Sequence, residues 1–322
     1  MLNNRILAVI DGSYMMYHVL FSAVNHFMQN YNTEALSLIK NPDDVDQNNL
    51  PSLLVSNNFK KELKTTFIKR CEFIDFIIQQ NFQEIVDSSN GIDFIFSLDD
   101  YLSHSFRKKE YPEYKAQRKL VKRAYSVYDI FEYIVNVLFP ELNIQNKYGY
   151  IPIKIENAEG DDVIATILKN FNDYELKILF SSDRDFCQLN GVSQFDLAGK
   201  EIHSTVVSKG IETTLTPDQA LLCKILMGDK SDNIPGILPK VGPVTAFKLC
   251  ENKNKLDEIL STNQIAAKQY LLNKKLIDFN EIPVELKNTI ISAVEEKLKE
   301  KIAFDNKFNT KNVFYNSDLM EL

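Results

Sequence analysis

Three apolar runs divide the first two-thirds of the chain, and each ends in acid. Residues 5–12 read RILAVIDG, residues 91–100 read GIDFIFSLDD and residues 176–185 read LKILFSSDRD. Uninterrupted apolar runs of this length, closed by Asp, Gly or Ser, predict strands buried on both faces. A further run, Tyr150–Ile155, has the same character. The intervening segments change period. Ser13–Met28 is rich in aromatic residues and Met. Phe59–Ser88 places Leu63, Phe67, Cys71, Ile74, Ile78, Phe82 and Ile85 on one helical face, and Val163–Phe171 is an apolar helix opened by acids. Strand and helix alternate, which predicts the α/β class with a mainly parallel central sheet flanked by helices.

Beyond Asp185 the pattern continues with strands at Val192–Leu197 and Glu201–Val207. Thr216 is a candidate N-cap with Pro217 at the first helical position, and that helix stops at Gly228. A Gly/Pro-rich hairpin follows and feeds a second helix from Pro243. Residues 251–322 carry Lys, Glu and Asn with apolar positions at helical spacing, which predicts a helical region. Residues 29–58 are polar and carry Pro42 and Pro51, and read as a surface insertion.

This order has a chemical consequence. Ligands of open parallel sheets gather beyond the carboxyl ends of the strands. Asp11, Asp99, Asp183 and Asp185 all fall there, and Glu159, Asp161 and Asp162 open the helix after the Tyr150 run. Ionised carboxylates crowded beside apolar sequence are costly unless a cation compensates them. Oxygen ligands alone suit a hard divalent metal. Asp229 and Asp232 add two acids just past a helix end.

Composition alters this picture at one place. The 322 residues are 44% hydrophobic with a net charge of −7, enough for one or two domains and no global sign of a polyanion binder. Between 107 and 123, however, eight basic residues face two acidic ones, a local +6. Phe106, Tyr111, Tyr114, Tyr125 and Tyr128 are interleaved there. Cations can follow a phosphate backbone and aromatic rings can stack on bases. Pro112 breaks the helix, and a basic helix is expected from about Glu113 onward. The glycines of the hairpin permit close backbone approach to a phosphate, and the helix start at Pro243 offers free N–H groups. The four cysteines have no CxxC spacing and sit among apolar residues, as reduced buried thiols would. No run has secretory or transmembrane character, so a cytoplasmic protein without membrane association is expected.

Five segments, in order, carry a family resemblance: Asp11-Gly12; Asp99 with the downstream YPEYKAQR ending at Arg118; Glu159-Gly160-Asp161-Asp162; Ser182–Asp185 with Gln188-Leu189; and Gly228–Gly236, GDKSDNIPG. Together they span roughly residues 5–250 and resemble the structure-specific 5′-nucleases, most closely the free-standing phage enzymes. The resemblance implies a PIN-like 5′-nuclease fold with a nuclease core at 1–215 and a helix–three-turn–helix module with a helical region at 216–322. A helical arch falls at about 102–125. It further implies hydrolysis near a 5′ end of DNA or RNA–DNA, with two magnesium or manganese ions. Asp11, Asp99, Glu159, Asp161 and Asp183 correspond to one metal or its waters, and Asp185, Asp229 and Asp232 to the other. Lys115 and Arg118 are expected at the scissile phosphate, and Asp162 is expected to orient a ligand or a water. Arg107, Lys108, Tyr114, Lys119, Lys122, Arg123, Gly236, Lys240, Gly242, Thr245 and Lys248 are expected at the nucleic acid, with Tyr114 stacking on a terminal base. A potassium ion in the 236–242 hairpin and a monomer complete what the resemblance implies. The apolar and acidic tail 313–322 is expected to pack onto the body, with docking onto a single-strand-binding or replication protein as the alternative.

The chain departs from the family at two points. Gly160 stands where Ala is usual, a small-for-small exchange, and the hairpin lacks its usual downstream Lys, for which Lys240 is the substitute. Two other readings are a non-cleaving flap or junction binder and a PIN-type ribonuclease. Loss of an acid would mark the first and absence of the Gly228–Leu249 module the second.

Overall fold

The computed structural model describes residues 4–38, 50–100, 105–117, 123–144 and 149–308. Its centre is a five-stranded sheet in the order β3-β2-β1-β4-β5, every pair parallel. The strands are β1 (Ile6–Asp11), β2 (Ile92–Leu98), β3 (Ile151–Lys154), β4 (Leu176–Phe180) and β5 (Ser193–Phe195). The register sets Asp11 beside Ser97, and Ile10 beside Phe180, so the chain leaves neighbouring strands at one level.

The strand period sorts β1 between two cores. Ile6, Ala8 and Ile10 join a cluster with α1 (Gly12–Asn30) and α4 (Asn57–Ser88); α6 (Arg123–Tyr133) and α7 (Phe139–Ile144) add to it. Leu7 and Val9 face α8 (Gly160–Asn170) and α13 (Val284–Phe308) instead. In the first core Phe67, Phe96, Phe139 and Tyr150 meet edge-on, with centroids 4.9–6.4 Å apart across these pairs. Each such pair adds about 0.5–1.5 kcal/mol beyond its burial. The long α4 is kinked at Phe82, whose backbone is non-helical.

Within the 29–58 segment, α2 (Asn32–Leu38) and α3 (Leu50–Leu53) are helical, and residues 39–49 lie outside the description. After β2 comes the short α5 (Phe106–Glu110), ended at Tyr111 before Pro112. The expected helix from Glu113 is not formed: residues 112–117 are turns, and Lys115 has φ +56°. The expected strand Glu201–Val207 is also corrected. Glu201 makes only an isolated bridge to Phe195, while β6 (Thr205–Ser208) pairs with β7 (Ile211–Thr214) as an antiparallel hairpin. A strongly twisted two-stranded ribbon needs no long apolar run, and β7 is exposed along its length.

The remainder is helical: α9 (Pro217–Met227), α10 (Pro243–Glu251), α11 (Lys253–Thr262), α12 (Gln264–Ile277) and α13. Thr216 caps α9 by accepting from Gln219 N, with Pro217 at its start. Cys223, Leu226, Ile237, Ala246, Leu249 and Cys250 form the small core of the α9–hairpin–α10 unit. Among the described residues no helix is long and apolar enough to cross a membrane. Cys71, Cys223 and Cys250 are buried thiols, whereas Cys187 is only half-buried.

Candidate active site

The carboxyl edge of the sheet is where the acids converge. Asp11 ends β1 and caps α1: one carboxylate oxygen accepts from Tyr14 N at 3.0 Å and the other from the Ser181 hydroxyl at 2.9 Å. Asp99, just past β2, accepts from the Ser13 hydroxyl and from Gly160 N, each at 2.6 Å. Two elements thereby cross-brace: α1 holds the acid of β2, and the residue after β4 holds the acid of β1. Burial and the carboxylates of Asp99 and Asp183 push the Asp11 carboxyl up to about 6. Burial and then Asp183 push Asp161 well above the ordinary carboxylate range, with Asp11 and Asp99 adding to it. Four acids from four separate segments therefore feel one another's charge. The sequence order required this convergence, and it is present.

A second group lies alongside. Glu159 accepts from the Tyr114 hydroxyl at 3.0 Å and pairs with Lys115. Burial would raise the Glu159 carboxyl, but Lys115 and Arg107 outweigh it and hold the group down at about 2. The same hydroxyl lies 3.1 Å from Asp232, so its one proton is shared between the two carboxylates, and Lys115 Nζ lies 3.9 Å from Asp232. The turn 112–117 is pinned to the Asp229–Asn233 loop through Lys115 N to Asp232 O at 2.9 Å, Gln117 to Lys230 O at 2.8 Å and Asn233 to Glu113 O at 2.8 Å. Gly228 permits that loop: its φ is +71°, and a Cβ there would lie 2.3 Å from Ile234 O.

Several expectations are corrected here. Tyr114 is 3% exposed and its ring cannot stack on a base; it bridges Glu159 and Asp232 from inside. Burial and Glu159 push its phenol up, so it remains a donor. Arg107 is 4% exposed and is not a nucleic-acid contact in this arrangement. Its guanidinium spans Asp162 Oδ1 at 2.8 Å and Oδ2 at 2.9 Å, while Nε donates to Leu276 O at 2.7 Å. Asp162 is fully buried as that partner and reaches no water-facing position; it orders Glu159 by accepting from its N–H at 3.4 Å. An acid of a helix N-terminus and an arginine of a basic run, both polar in sequence, cancel inside the protein.

Asp185 and Asp229 do come together, but around a lysine absent from the expected set. Lys224 Nζ of α9 pairs with Asp185 and lies 2.8 Å from Asp229. Asp229, although burial opposes it, is held down at about 2 by Lys224 and by Ser231. Nothing in the apolar run of α9 signals Lys224 except its place one turn before Gly228. Ser13 and Ser181, the hydroxyls that hold the acids, were equally inconspicuous. Among the described residues no group of three or more His, Cys, Asp or Glu stands as a ready metal cage. The chemistry of the first set nevertheless fits one: only oxygen donors, mutually repelling, on one edge. The second set differs, because its charge is already compensated by Lys224.

Gly160 is tighter than a small-for-small exchange implies. A Cβ on it would lie 3.0 Å from Asp99 Oδ1 and 3.5 Å from the Ser97 hydroxyl. Lys108, Lys240, Thr245 and Lys248 are exposed, and Gly236 and Gly242 flank the hairpin. Gly242 precedes α10 with no side chain capping its first N–H groups. Arg118, Lys119 and Lys122 lie outside the described residues, as does the 313–322 tail, and Arg123 is described only as the first residue of α6.

Comparison with known proteins joins these observations. Residues 64–214 match the 5′–3′ exonuclease N-terminal resolvase-like domain, and residues 215–306 match the 5′–3′ exonuclease C-terminal SAM fold. A 5′–3′ exonuclease of Mycoplasmopsis pulmonis is 27% identical over 278 residues, covering 80% of this chain and 87% of that protein. DNA polymerase I of Caldicellulosiruptor bescii is 31% identical over 222 residues, 65% of this chain but only 23% of the polymerase. In fold, the chain is similar to the flap endonuclease of bacteriophage T5 solved as a pseudo-enzyme–product complex with DNA and metal ions. That superposition has a TM-score of 0.53 at 16% identity and covers 92% of this chain and all of the other.

Proposed function

The chain belongs to the 5′–3′ exonuclease family of nucleases, and from that premise we propose that it hydrolyses phosphodiesters near the 5′ end of a DNA or RNA–DNA strand at a flap, nick or gap. The observation that carries the proposal is the convergence of Asp11, Asp99, Asp161 and Asp183, each raising or sharing the others' electrostatic burden. Such a cluster costs stability, and binding of divalent cations relieves that cost.

In this reading Asp11, Asp99, Glu159, Asp161 and Asp183 hold a first magnesium or manganese ion or its waters. Asp185, Asp229 and Asp232 would hold a second, in competition with Lys224, which already pairs with Asp185 and Asp229. Bound metal supplies a lowered pKa for water and charge stabilisation on the leaving 3′-oxygen. The protein's own groups do the rest. Lys115, kept protonated by Glu159, Asp232 and Asp161 despite burial, is placed to meet negative charge developing on the scissile phosphate. Tyr114 and Arg107 fix the carboxylates from behind. Arg118 joins Lys115 at the scissile phosphate, and the other basic residues of the arch, Lys108, Lys119, Lys122 and Arg123, steer the strand. Gly236, Lys240, Gly242, Thr245 and Lys248 receive the duplex backbone at the start of α10, with a potassium ion in the 236–242 hairpin when DNA is bound. Removal of primers and flaps during lagging-strand replication, in contact with a replication protein, is the setting this activity fits.

Cleavage of a 5′-labelled flap duplex in magnesium tests the reading, run beside the Asp183→Ala, Asp185→Ala double variant and an EDTA control. Short 5′ products from the wild type alone are expected. Tight flap binding with no cleavage in magnesium or manganese would mark a binding protein and overturn the reading.

A further inference from the structure

The α9–hairpin–α10 unit holds two thiols that the site does not use. Cys223 lies on α9 and Cys250 on α10, 27 residues apart in sequence, and their sulfurs are 3.2 Å apart. Both are buried in the small core between these helices, at 3% and 7% exposure. We propose that Cys223 and Cys250 are an oxidisable dithiol that closes to a disulfide and ties α9 to α10 across the hairpin.

Two observations support it. The remaining approach is about 1 Å, from the present contact to a bond of about 2.05 Å. Cys250 is also one of the residues that line an open surface pocket, with Glu251, Asn252, Lys253 and Asn254. Neither of the other two cysteines, Cys71 and Cys187, has a thiol partner among the described residues.

The step balances with hydrogen peroxide as oxidant. One of the two, as thiolate, attacks a peroxide oxygen, the O–O bond breaks, and the departing hydroxide takes up a proton as water. The other sulfur then attacks the resulting sulfenic acid, forming the S–S bond and releasing its oxygen as a second water. Two thiols are oxidised and one peroxide is reduced. A dithiol reductant reverses it.

The test is on the full chain without nucleic acid or metal. The protein is treated with hydrogen peroxide, alkylated, digested and mapped by mass spectrometry. A peptide pair joined through Cys223 and Cys250 is expected, lighter by two hydrogens and separated by dithiothreitol. Cys250→Ser should lose the pair, and the Cys71→Ser, Cys187→Ser double variant should retain it. Peroxide that leaves Cys223 as a free thiol, with Cys250 carried to sulfinic acid or paired elsewhere, would overturn the proposal. Because the readout is a covalent mass, failure of the nuclease reading would leave this result untouched.

Discussion

The two edges of the central sheet treat buried carboxylate in opposite ways. At the amino edge Asp93, near the start of β2, is 1% exposed and matched by charge. Arg5 donates to it twice, at 2.6 and 2.8 Å, Lys301 lies at 2.7 Å and the Tyr174 hydroxyl at 2.9 Å. Burial would raise its carboxyl, yet Arg5 and Lys301 bring it below the ordinary value. At the carboxyl edge Asp11 and Asp99 are held by hydroxyls and backbone N–H groups, neutral donors, and burial, then neighbouring acids, push Asp11 up. One edge spends its carboxylate on joining β1, β2 and α13. The other leaves Asp11, Asp99, Asp161 and Asp183 crowded together, while Glu159 and Asp229 beside them are matched by Lys115, Arg107 and Lys224. A site for chemistry is legible as the place where stability has been given up.

Neutralising one acid at each edge breaks the comparison most sharply. Asp161→Asn should lower flap cleavage by on the order of 10³-fold, the rate equivalent of several kcal/mol of charge stabilisation. In EDTA the same variant should unfold at a higher denaturant concentration than wild type, because a repulsion is gone. Equal losses of activity and of stability would refute the contrast.

Asp93→Ala should do the reverse. It leaves Arg5 and Lys301 without their buried partner and should cost about 3 kcal/mol by denaturant titration, with cleavage per folded molecule unchanged. Acid sharpens this. A carboxyl lowered in the folded state stabilises fully above its unfolded pKa, near 4, and loses that contribution as pH falls through the folded value. The gap between wild type and Asp93→Ala should therefore narrow below about pH 4. Asp11, at about 6, has the opposite sign: in EDTA its penalty is present above that pH and is relieved as pH falls toward 4.

A smaller effect is metal-linked stability. Magnesium at about 100-fold its dissociation constant should add about 2.7 kcal/mol to the wild type by differential scanning fluorimetry or denaturant titration. Asp161→Asn should show little of it, whereas a variant at Asp93 should show it in full. The smallest is Gly160→Ala, which crowds Asp99 and should cost about 1 kcal/mol of stability while slowing cleavage several-fold. Wild-type rates for this variant would mean Asp99 shifts freely.

Much of this was legible from the chain alone. The three apolar runs with terminal acids are strands β1, β2 and β4, and their parallel order compelled Asp11, Asp99 and Asp183 to one edge. Thr216 and Pro217 announced α9, and Pro243 announced α10. The misses share a cause. Residues 113–117 are rich in helix-compatible residues, yet Lys115 adopts a left-handed conformation because its turn is hydrogen-bonded to a loop more than a hundred residues away. The strand expected at Glu201–Val207 begins too early, since only Thr205–Val207 of it lie in β6, and β7 is too polar to show as a strand period.

Sequence by itself determined which segments are buried strands, which helices surround them, and therefore which acids share an edge. Periodicity is a local property, and a parallel sheet translates it directly into position. Tertiary structure alone decided which polar groups face water. Arg107 turned inward to Asp162, Tyr114 became a strut, Lys224 came to stand between Asp185 and Asp229, and Cys223 met Cys250. A charge or a thiol has no intrinsic direction; its role follows from the partner that packing brings within about 3 Å.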